Sequence, residues 1–108
     1  MVSGHIHVDV ATASRGFAAI GSESRLSVLQ VLVRAGDGGL SVGEIQARTG
    51  IAASTLAHHL RFLTSAGLVE QQKIGRTVVN RAAFDRLQAL AHYILKECCA
   101  DETYRESA

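Results

Sequence analysis

Leucine, isoleucine and valine recur along most of this chain at the three- and four-residue spacing of helices that bury one face. Residues Ala11–Ile20 predict a short first helix with Phe17 and Ile20 on one side. Ser22 is placed to cap a second, SESRLSVLQVLVRAG, whose broad apolar stripe is expected to run through Leu26, Leu29, Val33 and the intervening valines and to stop at Gly36. In LSVGEIQARTG, Ser41 and Glu44 have the spacing of a capping box, so a helix should start at Ser41, with Gly50 turning the chain after it. A longer helix follows from about Ala53 and closes at Gly67, with Leu56, Leu60 and Leu63 on its buried stripe.

After Gly67 the period changes. LVEQQKI and TVVNR are short β-prone runs split by Gly75–Arg76, and they predict a small hairpin. A last helix is expected from about Ala82 to Ala100, carrying Phe84, Leu87, Ala91, Ile94, Leu95 and Cys98 along one side. Residues 1–10 are expected to form a flexible arm and 101–108 a flexible tail. The whole, residues 1–108, reads as a single domain, all-α with a small β-hairpin.

Composition narrows this picture. The chain has no proline and no tryptophan, so its helices are unbroken and its core must be largely aliphatic. Its longest apolar run is far short of the ~20 residues that cross a bilayer, and the N-terminal stretch lacks the pattern of a secretory signal. Two cysteines without an export signal imply reduced thiols in a cytoplasmic protein. His5 and His7 alternate with Asp9, which suits either a solvated arm or a contribution to a metal site.

Net charge is only +1, but it is unevenly distributed. Residues 41–81 hold five basic groups (Arg48, Arg61, Lys73, Arg76, Arg81) and two acidic ones (Glu44, Glu70), whereas the flanks are net acidic. The middle of the chain is therefore where an anionic partner should bind.

A short capped helix, a glycine turn and a second helix make a helix-turn-helix. The second helix is shaped for the major groove of DNA, where base edges offer a readable donor and acceptor code. At 100° per residue, Ser54, His58, Arg61 and Ser65 lie opposite the leucine stripe, and Thr55 lies near the helix start. His59 falls closer to the apolar side and reads as a packing histidine. Lys73 and Arg76, at the hairpin tip, are placed for phosphate contacts, which supply affinity and register.

The run STLAHHLRFLTSAGLVEQQKIGRTVVNRA closely resembles the recognition helix and wing of the ArsR/SmtB family of bacterial winged helix-turn-helix repressors, and GSESRLSVLQVLV is similar to the family's preceding helix. The likeness spans roughly residues 15–100. It implies a homodimer built on the first and last helices, bound to a palindromic operator in double-stranded DNA until an inducer releases it. A dimer would read two half-sites about one DNA turn apart.

The resemblance also frames the only two cysteines, Cys98 and Cys99. One subgroup of the family carries a Cys-x-Cys pair at the start of the first helix of the helix-turn-helix, where this chain has Ser41 and Gly43. A zinc-binding subgroup uses Asp and His ligands on the last helix, of which only His92 has a counterpart here. A third subgroup places a vicinal Cys-Cys pair at the end of the last helix with another cysteine beyond it; YILKECCADE matches its first part, and the third thiol is missing. No obligatory cofactor is implied. The inducer implied is a thiophilic one, As(III), methylarsenite or Sb(III), because soft centres prefer thiolate sulfur. Two thiols leave one arsenic position for a methyl group or hydroxide, so methylarsenite suits the pair at least as well as arsenite. On a regular helix the two side chains would diverge by about 100°, so they could converge only where the helix ends or unwinds.

Three other readings stand beside this one. The thiols could sense oxidants or persulfides; they could be small fillers at a dimer seam; or the fold could be a protein-interaction module without inducer. An enzyme is not expected, since no phosphate-cradling glycine motif, His-Glu-x-x-His or Cys–His pairing is present.

Overall fold

The computed structural model describes residues 7–102. Helix α1 spans Val10–Ile20 and α2 spans Glu23–Ala35. A 3-10 turn at Gly36–Gly38 leads into strand β1 (Leu40–Ser41), then α3 (Val42–Thr49) and α4 (Ala53–Ser65). Strands β2 (Val69–Ile74) and β3 (Thr77–Ala82) precede the last helix, α5 (Phe84–Leu95).

The helix starts follow local hydrogen-bond chemistry. Asp9 Oδ1 accepts from the Thr12 amide at 2.8 Å and caps α1, so Val10, expected in the N-terminal arm, is helical; residues 1–6 of that arm and 103–108 of the expected tail lie outside the described residues. Ser22 caps α2 by accepting from the Arg25 amide, and Ser41 with Glu44 completes the capping box of α3 in both directions. Helix α4 closes in a Schellman motif: Leu68 N–H donates to the Leu63 carbonyl and Gly67 N–H to Thr64, with Gly67 at φ 78°.

The hairpin is joined by the two residues Gly75 and Arg76 between the paired Ile74 and Thr77. It has a third strand that local pattern does not reveal. β1 pairs antiparallel with β3, Leu40 opposite Asn80 and Ser41 opposite Val79, giving the order β1-β3-β2. Two residues carry no period, so only the long-range pairing makes them a strand.

Leu32, Ile45, Leu56, Leu63 and Leu68 are wholly buried and join α2, α3, α4 and the wing into one aliphatic core. Each such side chain contributes about 1.5–3 kcal/mol through removal from water. The stripe of α2 follows the expected one at Val28 and Leu29 and departs from it at its two edges. Val28, Leu29 and Leu32 are its buried residues, whereas Leu26 and Val33 are exposed, because α3 and α4 both pack on the Val28–Leu32 side. Helix α1 packs against α2, α4 and α5, and a Cβ on Gly16 would lie 2.8 Å from the Leu90 side chain of α5.

Helix α5 is shorter than expected. It ends at Leu95 instead of Ala100, and Cys98 therefore lies beyond it, off any helical stripe. Ala89 and Leu90 are buried, but Ile94 and Leu95 are more than half exposed within one chain. Helical stability comes mostly from packing an apolar face, and here that face runs out of partners.

Candidate nucleic-acid interface and thiol pair

The leucine stripe Leu56, Leu60 and Leu63 anchors α4 in the core and turns the opposite face outward. Ser54, Thr55, His58, Arg61 and Ser65 are all exposed on this helix, and Lys73 and Arg76 are exposed on the wing. Together they form a polar, net-basic surface from one helix and one hairpin. The cleft between them is lined by Val42, Ala57, Arg61, Ser65 and Gln71 among others.

The wing is tied to the helix-turn-helix through Asn80, the one fully buried polar side chain among the described residues. Its Nδ2 donates to the Leu40 carbonyl at 3.2 Å, and its Oδ1 accepts from Gln71 Nε2 at 2.7 Å. One amide thus links all three strands, and it was not among the expected site residues. A polar residue at an inward-facing strand position was the available signal.

His59 is half-buried, as expected for a packing residue. Its Nδ1 is buried without a hydrogen-bond partner, and burial first, then the Arg25 and His58 charges, hold its pKa below the ordinary value. Beside it stands a short aromatic and cationic row. The His58 ring meets Phe62 edge-on with centroids 5.0 Å apart, and the Arg25 guanidinium lies 4.7 Å over the Phe62 ring. Arg25 also donates from Nε to the Ala19 carbonyl at 2.6 Å and from Nη2 to the Ala18 carbonyl at 3.4 Å. The last turn of α1 is thereby clamped to the recognition helix.

Beyond α5 the backbone continues through turns. Cys98, Ala100 and Glu102 amides donate to carbonyls three residues back, at Leu95, Glu97 and Cys99. Cys99 has φ 63°, the only positive value at a non-glycine residue in the described chain. This break in helical geometry lets the two side chains converge. The Sγ atoms lie 3.3 Å apart, and both thiols are exposed. The hydrogen bond to Cys98, then that to Glu102, holds the Cys99 thiol above its ordinary pKa. Of the N-terminal histidines, His5 lies outside the described residues, and Asp9 is engaged as the α1 cap.

A five-helix body with a recognition helix and a three-stranded wing defines a winged helix-turn-helix protein, and the profile of a helix-turn-helix domain family matches residues 20–72. The chain is 32% identical over 81 residues to the transcriptional activator HlyU of Vibrio cholerae, covering 75% of this chain and 72% of the relative. The chain belongs to the ArsR/SmtB family of winged helix-turn-helix transcriptional regulators.

Solved structures agree. An ArsR-like transcriptional regulator from Rhodococcus sp. RHA1 superposes with a TM-score of 0.72 at 31% identity, over 84% of this chain and 82% of its own. A homodimeric winged helix-turn-helix DNA-binding domain from Mycobacterium bovis superposes with a TM-score of 0.65 at 27% identity, over 90% of each chain. The expectation of a regulator instead of an enzyme accords with these relatives. Among the described residues no helix is long and apolar enough to cross a membrane.

Proposed function

We propose that this protein is a dimeric, cytoplasmic DNA-binding repressor that is released from its operator when a trivalent arsenical or antimonite bridges Cys98 and Cys99. The observation that carries the inducer reading is the 3.3 Å approach of two exposed thiols just past α5. Helix α4 reads base edges in the major groove through Thr55, His58 and Arg61, with Ser54 and Ser65 at either end, while Lys73 and Arg76 hold flanking phosphates. A two-fold dimer through α1 and α5 aligns two such helices on a palindrome. The exposed Val10, Phe17, Ile94 and Leu95 supply the apolar surface such a dimer needs.

The inducer chemistry is ligand exchange. Two S–H bonds give up their protons, two S–As bonds form, and two hydroxides leave the arsenic as water. Methylarsenite retains its methyl group as the third substituent, so no further cysteine is required. Helix α1, which packs on both α5 and α4, supplies the physical route from the thiols to the groove.

Two observations bear on other forms of control. One relative is named an activator, so repression here rests on the family resemblance and is tested by transcription from the operator in both directions. Another structure is of reduced HlyU, which makes a thiol redox signal the second reading; both readings need the thiolate of Cys99, so the inducer panel separates them. The test is a panel of arsenite, methylarsenite, antimonite and peroxide against the protein–DNA complex, with and without the two thiols. Release by arsenicals alone supports the proposal; release by peroxide alone replaces it with the redox reading.

A further inference from the structure

Next to the Arg25 clamp lies a solvent-open cleft of about 250 Å³, lined by Arg15, Ala18 and Ala19 on the α1 side and by Phe62, Ser65 and Ala66 on the α4 side. It uses neither the thiols nor the wing. A closed apolar cavity of about 150 Å³ holds benzene, so this open cleft has room for a small ring with its substituent toward solvent. Three alanine methyl groups leave room for a flat molecule, and Phe62 offers an aromatic contact that favours offset or edge-on partners.

The charge around the cavity selects a second feature. Arg15 is the one charged residue lining it, and no acid does. Arg15 gives one N–H to Thr12 Oγ1 at 3.3 Å and keeps its remaining donors; the nearby Asp9 carboxylate is engaged at the α1 cap. Ser65 adds a hydroxyl to the lining. The carbonyls at the end of α1, which would repel an anion, are taken up by Arg25. A carboxylate therefore meets donors at the mouth, whereas a cation meets Arg15.

We propose that the cavity between α1 and α4 is an effector site for a small aryl monocarboxylate, which weakens DNA binding by pressing on Phe62. The ring enters between α1 and Phe62, the surfaces that Arg25 holds together. Displacing Phe62 shifts the edge-packed His58 on the exposed face of the recognition helix. The coupling rests on α4 reading DNA; the binding step does not, so the two fail separately.

Benzoate is the probe, with benzamidine as its cationic counterpart. In amide NMR spectra of the dimer, benzoate should shift Ala18, Ala19, Phe62 and Ala66, and it should raise the Kd for operator DNA; benzamidine should do neither. Arg15→Gln should weaken benzoate binding by about tenfold while leaving ligand-free DNA affinity unchanged. Ala18→Leu, which fills the cavity, should remove the benzoate response. The proposal is overturned if millimolar benzoate leaves these amides unmoved, if benzamidine acts equally, or if benzoate binds without changing DNA affinity. Intersubunit contacts at Ala18 and Phe62 in the ligand-free dimer would also overturn it, since the partner would then fill the space.

Discussion

Arg25 and Phe62 lock α1 to the recognition helix: the guanidinium stands 4.7 Å over the ring while its Nε–H donates to the Ala19 carbonyl. The same side chain caps the end of one helix and covers an aromatic face of another. Arg25→Ala should therefore cost about 1–3 kcal/mol of stability, read as a lower urea midpoint at unchanged m-value. Arg25→Lys should recover only part of this, because an ammonium cannot span the two carbonyls and the ring with a planar fork.

The Asn80 amide predicts a second loss. Asn80→Leu leaves the buried Leu40 carbonyl without its side-chain donor, while the exposed Gln71 amide can turn to water, at a cost of about 1–3 kcal/mol. Gly39→Ala should destabilise as well, since the residue sits at φ +68° and its Cβ would lie 2.5 Å from the Asn80 carbonyl oxygen. Thermal melts followed by circular dichroism measure both, and β-region signals should shift first.

On DNA, the recognition helix and the wing should separate by kind of loss. Arg61→Ala and His58→Ala should relax sequence preference, by about 1–3 kcal/mol for the arginine if it grips a guanine. Arg76→Ala should weaken all duplexes alike and lower the salt slope by about one. Fluorescence anisotropy on operator and scrambled duplexes over a salt series distinguishes these outcomes; equal losses on both duplexes for all three variants would refute the division of roles.

At the thiols, Cys98→Ser combined with Cys99→Ser should preserve DNA affinity and abolish release by arsenite and methylarsenite. The raised pKa of Cys99 adds a pH signature. Capture of an arsenical sheds thiol protons and proceeds through the thiolate, so release should quicken as pH rises toward the thiol range. Stopped-flow release rates across pH test this; a flat profile counts against a thiolate step.

His59 predicts an acid-sensitive fold. Its folded pKa lies below the ordinary 6.5 because burial disfavours the imidazolium, with Arg25 and His58 adding repulsion. The unfolded chain then binds the extra proton first. Stability is whole above 6.5 and falls as pH drops from there toward the folded value. The Tm of His59→Leu should depend less on pH between about 7 and about 5 than that of the natural chain.

Much of this architecture is local, and local features are legible in sequence. The Ser22 cap, the Ser41–Glu44 box and the Gly67 closure each satisfy helix-end groups with neighbours in the chain, so their spacing alone predicts them. The leucine stripe of α4 likewise selects its outward face, since a helix that buries Leu56, Leu60 and Leu63 must expose Arg61 and His58. Other features depend on what lies across the core. Which side of α2 is buried follows from where α3 and α4 pack, which its own pattern of leucines and valines does not encode. Strand β1 exists only by pairing with β3 forty residues later. Helix α5 stops where its apolar face loses partners, and that termination brings Cys98 and Cys99 into contact. The sequence by itself determined the helix starts, the recognition helix and the presence of two thiols, because these need only short-range hydrogen bonds and helical period. The tertiary structure decided the third strand, the Arg25–Phe62 clamp and the convergence of the thiols, because each joins groups that meet only once the helices have packed.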